Sequence, residues 1–445
     1  MTHLLPLAEP QSELSAYAYS YPHKSSYRPL TPRVPIATVW RDEDVSNLSL
    51  YVHIPFCEMR CGFCNLFTQS QPAETLVNDY LAALGRQMRV VREAVPTATF
   101  HQFAIGGGTP TYLSAQQLSD LLTAVESVLD VSIVRLPTSI ETSPETATPD
   151  RLRVLANFGI QRVSLGVQSF SETETRLFGR PQQAPAVHRA IQAIRDAGSF
   201  DLNLDLIYGH PDQSAESWQA SLQAALQYRP EELYLYPLYV RPETGLERQG
   251  LSPVGHRSDL YRIARDRLLD DGYEQLSLRC FRVPRAAQPA AYACQRDGMI
   301  GLGCGARSYT RELHYATRFA VTQAGVRSIV RDWIAQSDDD FAHATHGMWL
   351  SDDEQLRRYV ILTLLQTDGL SLVELEQQFP GADIDTISGI TELRTRGWLL
   401  RTETRESLTP AGLEHADEVG PILYSPLVRD RLRAFTAGRN QEVPS

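Results

Sequence analysis

Three cysteines stand close together at Cys57, Cys61 and Cys64, spaced C-x3-C-x2-C within YVHIPFCEMRCGFC. Thiolates are soft donors, and cysteines clustered on a short loop are ligand candidates for zinc or an iron–sulfur cluster. A structural zinc site is normally closed by four protein ligands, and a simple cubane is normally held by four cysteines. Here the next cysteine, Cys280, lies far downstream. Three thiolates on a four-iron cluster leave one iron open to a ligand other than protein. Two plainer readings compete: a three-cysteine zinc site completed by His53, and buried cysteines that only pack.

Further polar and glycine-rich stretches follow at intervals. FAIGGGTPTYL holds Gly106, Gly107 and Gly108, then Thr109, after an apolar run. Such a run lets the backbone approach a ligand closely, yet it lacks the lysine of a phosphate loop and the spacing of a dinucleotide fingerprint. By itself it is a turn. SIETSPE places Glu141 in a β-like run, where a buried carboxylate needs partners. RVSLGVQSF ends near Gln168, whose amide can donate and accept, and Arg180 follows with a fork suited to carboxylates. Asp205 sits among Leu204, Leu206 and Ile207. Ordinary strand-edge or structural roles are open to each of them. Tyr234, Tyr236 and Tyr239 could line a pocket or pack half-buried on a strand face.

The elements that must carry these residues alternate. Strands are expected at Leu48–Phe56, Phe100–Gly106, Thr138–Thr142, Arg162–Gln168, Leu202–Tyr208 and Glu232–Val240. Helices are expected near Leu76–Glu93, Ala115–Leu129, Pro149–Asn157, Ala184–Asp196 and Ala215–Gln227. Strands separated by helices of that length imply right-handed crossovers and a parallel sheet. Six units make a partial (β/α)6 barrel, with chemistry at the strand ends. The fold class is therefore α/β. An extended N-terminal arm over 1–45 precedes the barrel at 46–275. An extension that closes the active site covers 276–350, and a mainly helical, winged-helix-like domain covers 351–445.

With 445 residues, 42% hydrophobic and 21% charged, the chain has the composition of a soluble globular protein. A net charge of −11 argues against nucleic acid as a partner. The start lacks a signal-peptide pattern and no apolar run is long enough to span a membrane, so a cytoplasmic location is expected. Cys280, Cys294 and Cys304 fit no ligand spacing, and His343 and His346 read as loop residues.

At SLYVHIPFC and the cysteine triplet the chain resembles radical S-adenosylmethionine (SAM) enzymes, and within them the oxygen-independent coproporphyrinogen III oxidase group. The resemblance covers most of residues 46–420. It implies a [4Fe-4S] cluster on Cys57, Cys61 and Cys64, whose open iron binds SAM, and a 5′-deoxyadenosyl radical that abstracts hydrogen from a substrate. It further implies that Tyr51, Gly107, Gly108, Thr109, Glu141, Gln168, Arg180 and Asp205 contact SAM. The expected partners are a small-molecule substrate, such as a tetrapyrrole, and a reducing donor such as flavodoxin or ferredoxin; the expected state is a monomer. AYSYPHKSSYRPL resembles the Tyr-Thr-Ser-Tyr-Pro segment that precedes the barrel in true oxidases.

Two departures bear on the branch. True decarboxylases carry a further cysteine two residues beyond the triplet, where this chain reads Asn65, Leu66 and Phe67. The haem-chaperone branch carries His-Asn-x-x-Tyr-Trp, where this chain reads PAAYACQRD. A radical oxidoreductase is the leading reading, beside a radical methyltransferase on the same scaffold and a haem-binding chaperone. The C-terminal module lacks a basic recognition face, and its LTPAG resembles the family's own C-terminal domain. It reads as a lid or substrate-side wall.

Overall fold

The computed structural model describes residues 20–180, 182–285 and 298–441, with 436–441 as backbone alone. The chain divides into two compact units, Arg28–Trp349 and the residues up to Tyr27 together with those from Leu350 on.

The larger unit is built on one sheet. Its strands are β1 (Arg28–Pro35), β2 (Leu48–Ile54), β3 (Phe100–Gly107), β4 (Thr138–Thr142), β5 (Arg162–Gln168), β6 (Asp201–Tyr208), β7 (Glu232–Pro237), β8 (Glu274–Gln275), β9 (Cys280–Arg282), β10 (Met299–Leu302), β11 (Arg307–Tyr309), β12 (Leu313–Ala316) and β13 (His343–Trp349). Their order is β1-β13-β12-β11-β10-β2-β3-β4-β5-β6-β7-β9-β8. From β10 through β2 to β7 every pairing is parallel. Helices Glu74–Ala94, Ala115–Leu129, Pro149–Asn157, Ala184–Ala197 and Ala215–Leu226 link successive parallel strands from β2 to β7. This is the partial barrel that the alternation of elements implies.

Alternation along each strand decides what faces where. Leu50, Val52 and Ile54, Phe103 and Ile105, Val163, Leu165 and Val167, Leu202, Leu204 and Leu206, and Leu233 and Leu235 are buried in one core with Leu84, Met88, Leu122, Leu155, Ile191 and Trp218 of the helices. Burying one such side chain contributes about 1.5–3 kcal/mol. The intervening residues turn to the opposite face, the barrel interior, and most of them are polar. In-register pairing lines up Glu141, Ser164, Asn203 and Glu232, with Gly166, Asp205 and Tyr234 as a row above. A sheet with such an inner face is a container rather than a packed core.

Several features differ from the sequence expectation. Arg28–Pro35, inside the stretch read as an arm, is a strand that pairs with β13. Met299–Leu302 adds a parallel strand beside β2, and Cys280–Arg282 an antiparallel one beside β7. His343 and His346 lie in β13 rather than in a loop. Leu238 and the residues beyond it leave the sheet, so β7 ends at Pro237 instead of Val240.

The smaller unit carries helix Asp352–Leu364 and a three-stranded sheet of β14 (Leu370–Ser371), β15 (Leu399–Arg401) and β16 (Arg405–Leu408), ordered β14-β16-β15. Buried Glu406 accepts from Arg394 Nε and Nη2 at 2.7 and 3.1 Å. Tyr21, in the stretch likened to the pre-barrel segment, is buried; its hydroxyl donates to Glu354 and accepts from Ser425 N at 3.3 Å.

Candidate active site

The cysteine loop leaves β2 and is fastened on both sides. Gly108 N and Thr109 N donate to Ile54 O (2.8 Å) and Phe56 O (2.7 Å). On the other flank Gly62 N donates to Phe178 O (2.5 Å), and Leu246 N donates to Gly62 O (2.9 Å). A side chain at Gly62 would place its Cβ 2.7 Å from Phe178 O, so the approach requires glycine. Each sulfur then has a polar neighbour. Thr109 Oγ1 donates to Cys57 Sγ at 3.6 Å, Arg180 Nη1 donates to Cys61 Sγ at 3.6 Å, and Cys64 Sγ lies 3.7 Å from Thr68 Oγ1.

The glycine run serves three neighbours in turn. A Cβ on Gly106 would lie 2.8 Å from Glu141 Oε1, one on Gly107 2.5 Å from the His53 ring, and one on Gly108 2.6 Å from Phe56 O. Gly107 also has φ +116°, a conformation that side chains disfavour. Its N–H donates to Glu141 Oε2 at 3.0 Å.

Next along the sheet, Gln168 has φ +71° where β5 slips register against β6, and such strain in a non-glycine residue gathers at functional sites. Arg180 is buried and spends its guanidinium on Gly166 O (2.8 Å), Gln182 Oε1 (3.2 Å) and Cys61 Sγ. It therefore stands beside the cysteines. Asp205 accepts from Asn203 Nδ2 (2.7 Å) and Ser164 Oγ (3.1 Å). Tyr51 OH lies 3.2 Å from His53 Nδ1.

Electrostatics follow from enclosure. Burial pushes the Cys57 thiol up to about 12 and raises Cys61 as well, against the opposing pull of Arg180. A bound cationic centre is what would hold these thiols as thiolates, so the donor set fits a metal cluster. Glu141 is open to solvent by surface area yet ringed by barrel atoms, and that enclosure raises its carboxyl to about 7 against the Gly107 N–H. Burial also raises Asp205, opposed by Asn203, Arg162 and Ser164.

His53 is not a fourth ligand. Its Nε2 lies 3.2 Å from Phe67 O and its Nδ1 faces Tyr51, which corrects the zinc reading. Among the described residues no three His, Cys, Asp or Glu side chains converge as they would on a single ion. A cubane instead takes one thiolate per iron. Cys280 and Cys304 are buried at opposite flanks of the parallel strands, and Cys294 lies outside the described residues.

A family model described as the radical SAM superfamily matches residues 51–225. The chain is 30% identical to the heme chaperone HemW of Escherichia coli over 58% of this chain and 69% of that one. The chain belongs to the oxygen-independent coproporphyrinogen III oxidase-like family of the radical SAM superfamily. HemW of Bacillus subtilis is 28% identical over 83% and 97% of the two chains, and an oxygen-independent coproporphyrinogen III oxidase of Cereibacter sphaeroides 29% identical over 75% and 76%. The solved structure of coproporphyrinogen III oxidase (HemN) from Escherichia coli shares the fold, with a TM-score of 0.75 at 22% identity, covering 89% of this chain and 96% of that one. Relatives of this radical SAM protein thus carry two different names, oxidase and chaperone.

In this family member the structure adds residues that the motifs did not single out. Gly62 and Thr68 shape the cysteine loop; Ser164 and Asn203 hold Asp205; Arg162 and Glu232 pair at 2.6 Å on the barrel floor. Their signal was present in the sequence. Strands covered by helices on both faces are apolar throughout, whereas Arg162–Ser164 and Asn203–Asp205 are polar at every second position.

Proposed function

We propose that this chain is a radical SAM oxidoreductase related to coproporphyrinogen III oxidase, which abstracts hydrogen from a tetrapyrrole or a similar organic substrate. The observation that supports this most is an incomplete thiolate set and a polar barrel interior at the same strand ends. Cys57, Cys61 and Cys64 would hold a [4Fe-4S] cluster, and Tyr51, Gly107, Gly108, Thr109, Glu141, Gln168, Arg180 and Asp205 would position SAM. When bound, these cofactors supply a 5′-deoxyadenosyl radical, the hydrogen-abstracting agent.

The chain's own residues orient and exclude. Thr109 and Arg180 donate toward sulfur and stabilise thiolate over thiol. Asn203 and Ser164 fix both oxygens of Asp205, leaving its remaining lone pairs for a hydroxyl or ammonium group. Phe63, Phe178 and Leu246 pack as an apolar patch behind the loop and keep water from that side. The electron would come from a flavodoxin or ferredoxin in a reducing cytoplasm, to a monomeric enzyme. No helix among the described residues is long and apolar enough to cross a membrane.

A haem-chaperone reading competes, supported by a relative of that name matched over 83% of this chain and 97% of its own length. The deciding experiment is anaerobic reconstitution with iron and sulfide, reduction, and product analysis with SAM, with and without coproporphyrinogen III. The expected result is 5′-deoxyadenosine with loss of hydrogen from the substrate. Stoichiometric haem binding with negligible SAM turnover would favour the chaperone instead.

A further inference from the structure

Two contacts reach the cysteine loop from one short helix, Glu172–Leu177. Phe178, its C-cap, offers the carbonyl that accepts from Gly62 N at 2.5 Å, and Arg180 donates to Cys61 Sγ at 3.6 Å. Arg180 N donates to Thr175 O at 2.9 Å, so the guanidinium is tied to the helix that precedes it. A helix of six residues has little stability of its own and takes its position from what it packs on.

That support is a closed polar cluster which includes none of the cysteines or expected SAM contacts. Glu174 is buried on the first turn, where Oε2 accepts from Ser169 Oγ at 2.5 Å and Oε1 from Gln213 Nε2 at 3.4 Å. Ser169 Oγ lies 3.2 Å from Ser221 Oγ, and Gln213 is itself fixed, its Oε1 accepting from Gly209 N at 2.6 Å. His210, just beyond β6, puts Nε2 3.5 Å from Glu174 Oε2 and its ring 4.1 Å from that of Phe178. All five side chains are buried, and among the described residues no arginine or lysine pairs with Glu174. Apolar packing would seat a helix without the cost of burying a carboxylate, but it is non-directional. Here groups from the end of β5, the loop after β6 and helix Ala215–Leu226 are gathered around one carboxylate, and together they fix the rotation of the helix.

We infer that Glu174, seated against His210, is a positioning residue for the cysteine loop: it fixes the helix that delivers Phe178 O to Gly62 and the Arg180 guanidinium to Cys61. Two measurements test this, of which the redox one rests on the radical SAM reading and the other does not. In the metal-free full-length protein, hydrogen exchange resolved to the Gly62 amide should run about 10-fold faster in Glu174→Ala, while amides of β3 and β4 keep wild-type rates. In the reconstituted protein, redox titration by EPR should find the reduction equilibrium of Glu174→Ala shifted about 10-fold toward the oxidised cluster, about 59 mV for one electron. That is the direction expected of Arg180→Gln. Loss of a negative charge acting directly would move the equilibrium the other way, so the sign separates positioning from electrostatics. Glu174→Ala combined with Arg180→Gln should shift no further than Arg180→Gln alone. Glu174→Gln, whose amide oxygen can still accept from Ser169, should stay within about 2-fold of wild type in both measurements. His210→Ala, which removes the ring packed on Phe178, should follow Glu174→Ala. Wild-type exchange at Gly62 in both alanine variants, loss of protection throughout the sheet in both, a potential shift that adds to that of Arg180→Gln, or an equal effect in Glu174→Gln overturns the inference. Faster Gly62 exchange in the variants, with no cluster assembled on the wild type, sinks the radical reading and leaves the seat. A wild-type cluster, with exchange and potential unmoved in the alanine variants, does the reverse.

Discussion

Gly108→Ala should damage the cysteine loop while leaving the barrel folded. The added Cβ would stand 2.6 Å from Phe56 O, 3.0 Å from Phe56 C and 2.9 Å from Cys57 Sγ. Two of these atoms are backbone, so no rotamer change relieves the contact. The strip must shift, and overpacking of this kind costs about 1–3 kcal/mol. The shift also strains the bonds from Gly108 N to Ile54 O and from Thr109 N to Phe56 O, each worth about 0.5–1.5 kcal/mol. A total of about 2–6 kcal/mol lowers Tm by roughly 3–9 °C in a unit of this size. Gly106→Ala is the matched contrast, because the three atoms nearest its Cβ all belong to the Glu141 carboxylate tip, which can swing aside. Differential scanning calorimetry, with iron and sulfide analysis after anaerobic reconstitution, reads both variants. Gly108→Ala should lose most of its iron, while Gly106→Ala keeps iron and loses SAM affinity. Wild-type Tm and iron content in Gly108→Ala would refute the packing argument.

Three further perturbations follow. Arg180→Gln removes a cation from Cys61 Sγ, so redox titration by EPR should find a more negative cluster potential; an unchanged or higher potential would contradict the contact. Asp205→Asn should weaken SAM binding about 10-fold with iron content retained, by equilibrium dialysis, and unchanged affinity would make this aspartate merely structural. Burial lowers His210 to about 3; its ring packs 4.1 Å from Phe178, and Glu174 Oε2 lies 3.5 Å from its Nε2. Its folded pKa lies below the unfolded value of about 6.5, so its contribution is intact above that pH and falls as pH drops toward 3. Between pH 7 and 5 urea titration should show a loss on the order of 2 kcal/mol that His210→Phe largely removes; an equal loss in both proteins would place the acid sensitivity elsewhere.

The parallel strands were readable because each is a short β-rich run between amphipathic helices, and Thr138–Thr142 and Arg162–Gln168 are found with those bounds. Met299–Leu302 and Arg28–Pro35 were not readable as sheet members, because their partners, β2 and β13, are distant in sequence; the first is only four residues long and the second carries Pro29, Pro32 and Pro35, which argue against a strand. Arg180 shows a subtler limit. Its residue type suggests a grip on a free carboxylate, yet the fold brings its guanidinium to a sulfur and a backbone carbonyl. The glycine run was recognisable as a close approach, but which neighbour each glycine admits depends on His53, Phe56 and Glu141 arriving from two other strand ends.

The central claim is that three thiolates hold a cluster with an iron left open for SAM. The most direct measurement is the EPR spectrum of the reconstituted, reduced protein before and after SAM is added, with Cys61→Ala beside it. The account predicts a [4Fe-4S]⁺ signal whose g-values shift on SAM addition in the wild type, and no such signal in Cys61→Ala. A wild-type spectrum indifferent to SAM, or an unchanged cluster in Cys61→Ala, would contradict it.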